Sequence, residues 1–340
     1  MKLGLNIGML TRDVAGIETL VRRADEVGID SVWSSEAWGA DAATVLAYLA
    51  AKTEHIKLAT AIMQIPGRTP ANAAMTAMAL DLLSDGRVIL GLGLSGPQVV
   101  EGWHGVPYGK PLARTREYVD IIRAIVARDE PVVYEGSEYQ VPYTGPGASG
   151  LGKPLRSMIH PIRTEIPIYL AALGPKNVRQ TAEIADGWLP IFYSPEREEI
   201  FNSHLDAGLE AAGRSPDSFA IAPSVSVAVG DDIDACRDQL RPQLALYIGG
   251  MGARGKNFYN DLACRYGFEE AAATIQDLYL DGKKAEAAAA VPDALVDETG
   301  LAGPIDRIID RLEAWKDSRV DTLILSTRDP QVLEQLQEAL

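Results

Sequence analysis

Residues 3–36 read LGLNIGMLTRDVAGIETLVRRADEVGIDSVWSSE. The stretch opens on an apolar run, Leu3–Met9, short enough for a strand and lacking the polar alternation of a half-buried one. From Ile17 to Val27 the period changes to that of a helix: Ile17, Leu20, Val21, Ala24 and Val27 share one stripe, and Glu18, Arg22, Arg23, Asp25 and Glu26 lie off it. Gly28 stands where a helix C-terminus takes glycine, and Ser31–Glu36 begins a second strand. Working outward, the same strand-then-helix alternation gives further strands at Ile56–Ile62, Arg87–Ser95, Ile166–Leu173, Trp188–Tyr193, Phe219–Val229 and Thr322–Thr327. Eight βα units in a chain of 340 residues predict an α/β fold of the (β/α)8 TIM-barrel type rather than a doubly wound sheet, which usually stops at fewer strands.

Two stretches exceed the eight-unit scheme. Residues 130–165 carry Pro131-Val-Val-Tyr-Glu-Gly-Ser-Glu-Tyr-Gln-Val-Pro142, which predicts a hairpin, and then the Gly-rich run from Thr144 to Lys153; together they read as a lid-like insertion. Residues 231–300 add several helices, among them the Ala-rich Lys284–Val291. No linker separates them, so residues 1–340 are expected to form one barrel domain with two insertions. The chain is 47% hydrophobic and 23% charged, a globular composition, and its 32 Lys and Arg against 47 Asp and Glu leave a net charge of −15. Such a surface repels nucleic-acid phosphates and anionic headgroups, which argues against both partners. Cys236 and Cys264 lie far apart with no metal-ligand spacing, the N-terminal apolar run is too short for a signal-peptide core, and no run reaches a membrane span. A reduced, cytoplasmic protein is the expectation.

In a TIM barrel, chemistry gathers at the C-terminal ends of the strands. After the second predicted strand come Glu36 and Trp38, an acid and an indole; the acid is a candidate proton donor or ring-holding acceptor, unless it only complements a helix dipole. After the fourth, Gly91-Leu-Gly93-Leu-Ser95-Gly96-Pro97 formally matches the G-x-G-x-x-G dinucleotide fingerprint. Pro97 and a turn-rich segment follow Gly96, and the next clear helix starts near Leu112, so the small residues are read as room for a planar ring beside the backbone. After the fifth, Gly174-Pro175-Lys176-Asn177 opens a helix. Lysine in a first turn opposes the dipole unless an anion is bound there, so this is a phosphate-cradle candidate. The run Gly249–Asn257 holds four glycines with Arg254 and Lys256, either a second anion loop or a solvated turn. His104 falls in the loop after strand four, whereas His55, His160 and His204 are expected at the surface or in loops; no metal-ligand spacing and no G-x-S-x-G elbow occurs.

Taken together, Ser31-Val-Trp-Ser-Ser-Glu-Ala-Trp38, Leu58-Ala-Thr-Ala-Ile62, Asp85–Pro97, Lys110–Tyr118, Gly174–Asn177 and Ala185-Asp-Gly-Trp188 resemble the bacterial luciferase-like superfamily over nearly the whole chain. The likeness is to its actinobacterial branch dependent on the deazaflavin coenzyme F420, which is similar also at Tyr247–Gly252 and Asn257–Tyr259. The resemblance implies a cofactor across the barrel mouth, hydride transfer on the ring face toward a lid, and a non-proline cis peptide at Ala61–Ile62 forming a bulge under the ring. It points to Ala61, Ile62, Ser95, Gly96, Pro97 and Gly174–Asn177 as cofactor contacts, with Lys176, Arg254 and Lys256 drawing the phosphate and acidic tail. Sugar-phosphate dehydrogenases of the family carry Asp-His after strand two and Glu near the end of strand four; Glu36-Ala37 and Gly96 stand there instead, which argues against that substrate. Glu36, Trp38 and His104 remain, in that order, as proton-transfer candidates. A small alcohol, carbonyl or activated alkene is the expected substrate, against an apolar wall of Trp38, Trp103 and Tyr143. An FMN-dependent monooxygenase or reductase and a non-catalytic F420-binding protein are the alternatives. Pro70–Leu83 is apolar around most of its circumference, which predicts a homodimer.

Overall fold

In the computed structural model, which describes residues 1–340, the first unit forms as its periodicity demands. Strand β1 (Lys2–Gly8) leads to helix Val14–Glu26, whose N-terminus is capped by the Asp13 carboxylate accepting from Gly16 N at 2.9 Å. Ile17, Leu20, Val21 and Ala24 face inward, and Gly28 at φ +82 turns the chain into β2 (Ser31–Ser34). The series continues with β3 (Lys57–Thr60), β4 (Val88–Gly93), β5 (Ile168–Leu170), β6 (Gly187–Trp188), β7 (Ala220–Ile221, interrupted at Pro223 and resumed over Ser224–Val229) and β8 (Thr322–Ser326). Each strand pairs in parallel with the next, and β8 pairs with β1. Strand β7 closes the ring. Its first half pairs with β6, its second half pairs with β8, and the donor that Pro223 lacks falls at the changeover. Eight parallel strands closed in this way are a (β/α)8 barrel.

Strand alternation sorts the apolar residues into two cores. Leu3, Leu5 and Ile7 of β1 point outward into a shell of 75 buried residues between strands and helices. The inward positions Trp33, Ala59, Ile89, Leu189, Ala222 and Ile324 form a separate plug inside the ring, with Ala61, Ile62, Tyr169 and Ala171 against it. Below this plug, at the N-terminal face, Trp33, Ile89 and Tyr169 line a cavity of about 270 Å³ rimmed by Asp30, Lys57 and Asp321. Burial pushes the Tyr169 hydroxyl up to about 12, so it is neutral there.

Several sequence expectations need correction. Strand six was expected over Trp188–Tyr193 but ends at Trp188, because Pro190 lacks an N–H and Phe192 sits at φ +53. Strand three stops at Thr60 and resumes at Met63–Gln64. Helix Pro97–Gly102 begins directly after Gly96, where only turns were expected. Gly300–Gly303 forms an additional parallel strand on β7; two glycines in four residues gave it no strand signature. Helix Pro70–Leu83 buries Ala73, Ala74, Ala77 and Met78 but leaves Met75, Leu82 and Leu83 exposed.

The expected hairpin pairs Tyr134–Glu135 with Gln140–Val141. Its turn is gathered onto one buried carboxylate: Glu117, on helix Pro111–Ala127, accepts from Ser137 N and Oγ, Glu138 N and Tyr139 N at 2.8–3.0 Å. Burial alone would raise the Glu117 pKa, but these hydrogen bonds outweigh it and hold the group below the usual range. A lowered carboxylate stabilises fully above the ordinary Glu value, and the contribution is lost as pH falls through that value to the lowered one. Glu117→Gln, which keeps one acceptor oxygen and faces the donors with an NH2, is expected to cost on the order of 2–4 kcal/mol near neutrality. The gap in melting temperature between it and wild type should close in acid; a gap independent of pH would contradict this account. The return segment is pinned by Arg163 on Asp81 and by Arg128 Nε donating to Ser157 O at 2.9 Å.

Residues 231–300 contribute helices Ile233–Ala245, Phe258–Arg265, Glu269–Leu280, Lys284–Ala289 and Asp293–Thr299, with a π-helical turn at Leu246–Gly250. Tyr247 and Tyr259 pack edge-on against each other and against Phe192, which seats these helices on the segment after β6. No helix is long and apolar enough to cross a membrane.

Candidate active site

The mouth of the barrel is organised by the interruption of β3. The Ala61–Ile62 peptide is cis, as the family resemblance implied. The chain rejoins β4 two residues later, Met63 opposite Leu92 and Gln64 opposite Gly93. Every shoulder of the bulge is fastened. Thr60 Oγ1 donates to Gly91 O at 2.7 Å and accepts from Gly91 N at 2.9 Å; Ala61 N donates to Ser34 O at 2.8 Å; Ser35 Oγ donates to Ala61 O at 2.7 Å. The two glycines of β4 make the close approach possible. A Cβ on Gly91 would lie 1.8 Å from Thr60 O, and one on Gly93 would lie 2.6 Å from Ile62 Cδ1 and 3.4 Å from the Ala171 methyl. Ile62 therefore lies over a bare stretch of backbone. Beside this low apolar surface is a polar one from β1, β7 and β8, where Asn6 Nδ2 donates to Ser224 Oγ at 3.2 Å and Ser326 Oγ at 3.0 Å. Ile62 over bare backbone on one side, and the hydrogen-bonding groups of Asn6, Ser224 and Ser326 on the other, suit a planar ring system carrying polar edges.

The structure gives Glu36 partners of its own. The buried carboxylate accepts from Gln64 N at 2.9 Å and Ala42 N at 3.4 Å, and Arg68 Nη2 lies 2.7 Å from Oε1 while also pairing with Asp41. Both oxygens are occupied, so Glu36 acts on the far shoulder of the bulge and on the start of helix Ala42–Ala50. His104 is half-buried above this shoulder, with Nε2 2.9 Å from Gln64 Oε1, and its ring edge lies on Gly67, where a Cβ would sit 3.2 Å from Cε1. Trp38 is 57% exposed, Trp103 64% and Tyr143 56%, leaving three large aromatic side chains in water on loops. Ser95 takes φ +64 at the end of β4, and Gly96 and Pro97 start the short helix there.

The cationic candidates separate. Gly174 precedes helix Pro175–Ile184 without a side-chain cap; Pro175 takes the first position, and Lys176 is exposed and ion-paired with no carboxylate. That combination leaves the helix start open to an anion. Arg254 is instead paired with Asp277, Nη2 to Oδ1 at 2.8 Å. The glycines around it serve packing: Gly249 and Gly250 lie against Tyr279, and Gly252 lies against Asn257, whose side chain caps helix Phe258–Arg265 and donates to Tyr247 O and Ile248 O. The reading of this run as a free anion loop is corrected accordingly for Arg254, while Lys256 stays exposed. No cluster of metal-ligating side chains is present.

Sequence reading passed over Gln64, Arg68 and Asn6. Gln64 and Arg68 flank the Ile65–Gly67 turn, and their polarity was visible, but only the resumed pairing of Met63–Gln64 with β4 brings them to Glu36 and His104. Asn6 could have been flagged as the one polar side chain inside the Leu3–Met9 run.

Comparison with known proteins agrees with this geometry. The family model for luciferase-like monooxygenases matches residues 6–322. A Mycobacterium tuberculosis (strain ATCC 25618 / H37Rv) protein, provisionally named coenzyme F420-dependent oxidoreductase Rv3520c, is 45% identical over 329 residues, covering 96% of this chain and 95% of that one. Among solved structures, the coenzyme F420-dependent tetrahydromethanopterin reductase from Methanopyrus kandleri superposes with a TM-score of 0.81 at 22% identity, covering 100% of this chain and 98% of that one. An F420-dependent secondary alcohol dehydrogenase in complex with an F420-acetone adduct gives 0.77 at 18% identity, with the same coverage. Matched by the family model over residues 6–322 and 45% identical to a relative across 96% of its length, the chain belongs to the luciferase-like monooxygenase family.

Proposed function

We propose that this protein is an enzyme, a coenzyme F420-dependent oxidoreductase acting on a small alcohol, carbonyl or activated alkene. The observation that carries the reading is the seat at the mouth: the Ala61–Ile62 bulge over Gly91 and Gly93, with a hydrogen-bonding edge at Asn6, Ser224 and Ser326. When bound, the deazaflavin supplies hydride acceptance or donation at its central ring. The protein supplies placement. Ala61, Ile62 and the segment Ser95–Pro97 would border the ring; the helix start at Gly174–Asn177, with the Lys176 ammonium, would hold the phosphate. Trp38, Trp103 and Tyr143 would narrow the approach and exclude water from an apolar substrate. His104, the half-buried imidazole at the mouth, is the group assigned to exchange a proton with the substrate oxygen or carbon; Glu36, with both oxygens engaged, positions the bulge. The exposed Met75, Leu82 and Leu83 would be covered by a second copy of the chain, which sedimentation at micromolar concentration reads directly.

Equilibrium titration with oxidised F420 and with FMN tests the cofactor. Saturable F420 binding is expected, weakened about 10-fold to 100-fold by Lys176→Glu, with the wild-type affinity falling as salt rises. Tight FMN binding with none to F420 would overturn the proposal in favour of the flavin-dependent reading. Protein loaded with reduced F420 should turn over at least one member of a panel of carbonyls and enones; binding without turnover would leave a carrier.

A further inference from the structure

We propose that Gln64 is a positioning residue that fixes the ring of His104 and sets which of its nitrogens carries the proton. The orientation of the Gln64 amide is decided by its other partner. Its Nε2 donates to Ala37 O, a backbone carbonyl that can only accept, so Oε1 must face His104. At 2.9 Å that oxygen can only accept, and His104 Nε2 must therefore be the donor. The neutral ring then carries its proton on Nε2 and offers the Nδ1 lone pair; the charged ring offers Nδ1–H. In either state Nδ1 is the nitrogen that can exchange a proton, and the Nε2 hydrogen bond stays in place throughout.

The rest of the shoulder keeps Gln64 in register. Its side chain is buried, its N–H is held by Glu36, and its Cα is paired to Gly93 of β4. Gly67 leaves space for the imidazole edge. His104 thus inherits its position from the same bulge that forms the ring seat, through Gln64. The charges around the pair are Glu36, Arg68 and Asp41, tied to one another on the main-chain side of Gln64, with Glu101 and Lys110 on the segment that carries His104. All five are unchanged in the variants below.

The catalytic half of this inference rests on the proposed function; the pairing half does not, and the test separates them. Histidine labelled with 13C and 15N in the full-length protein gives the titration midpoint and tautomer of His104 by NMR, assigned with His104→Asn. Gln64→Met removes the acceptor and should lower the proton affinity of His104. Gln64→Glu places a carboxylate there and should raise it about tenfold. The wild-type spectrum should show Nε2 protonated and Nδ1 free in the neutral ring. With reduced F420 and a carbonyl substrate, the His-dependent limb of the kcat profile should move in the same direction as each NMR midpoint. A neutral ring protonated on Nδ1, or a midpoint that neither substitution moves in a folded protein, overturns the pairing whether or not the enzyme turns over. Midpoints that move while the kcat profile stays fixed overturn the assignment of His104 as the proton-transfer group.

Discussion

Gly91→Ala is expected to destabilise the protein by about 3–5 kcal/mol and to abolish measurable F420 binding. The new methyl carbon would lie 1.8 Å from Thr60 O and 2.9 Å from Leu189 Cδ1. A side-chain tip could rotate away from such a clash; a backbone carbonyl cannot, so β3 and β4 must separate. Overpacking of this kind costs about 1–3 kcal/mol. Separation also breaks the reciprocal pair between Thr60 Oγ1 and the Gly91 main chain, two hydrogen bonds of about 1 kcal/mol each in a buried setting. The same displacement moves the start of the bulge, which links the stability loss to the binding loss. Gly93→Ala is the informative control. Its methyl meets the flexible end of Ile62 at 2.6 Å, so Ile62 can turn, and the loss should be smaller in melting temperature while remaining visible in cofactor affinity. Thermal unfolding and F420 titration of both variants read the difference, and a Gly91→Ala protein as stable as wild type would refute the account.

Arg163→Met should have a comparable effect by another route. Asp81 is 2% exposed on the inner side of helix Pro70–Leu83, and Arg163 reaches it from the return segment with Nε at 2.9 Å and Nη2 at 2.6 Å. The same guanidinium donates to Val88 O, and Val88 N donates to Asp81, so the first residue of β4 is part of the joint. Removing the arginine leaves a buried carboxylate without its counter-charge, at a cost of about 3–5 kcal/mol. The companion variant Asp81→Leu with Arg163→Met removes both charges and should recover most of that loss, because the desolvation cost disappears together with the attraction. Urea midpoints of the two single variants and the double variant form the test. Equal losses in Arg163→Met and the double variant would mean that arginine packing, not the buried charge, holds the segment.

Much of the barrel was legible because its signals are local. Helix Val14–Glu26 follows from the spacing of Ile17, Leu20, Val21 and Ala24, and β1 from an apolar run that ends at a glycine. The strand at Gly300–Gly303 was invisible for the opposite reason: it exists only because β7 offers it a free edge, and its own residues carry no preference for extended structure. The site was legible as a set of loops and not as a set of contacts. Lys176 could be singled out because a cation in the first turn of a helix opposes the local dipole, a property of adjacent residues. Arg254 looked equivalent by composition, yet Asp277, on a helix more than twenty positions away in sequence, neutralises it. Glu36 read as a proton donor in isolation; its partners come from residues 42, 64 and 68, across the bulge.

The sequence by itself determined the parallel barrel and, through the resemblance carried by motifs such as Ser31–Trp38 and Asp85–Pro97, the family. Those features depend on periodicity and residue type, which are written along the chain. Only the tertiary structure decided what each candidate can do. It engaged the Glu36 carboxylate with Arg68 and two N–H groups, paired Arg254 with Asp277, left Lys176 without a carboxylate, and brought Gln64 under His104. The availability of a charge or a proton is set by the groups within hydrogen-bonding reach, and those come from segments distant in sequence that meet only when the chain folds.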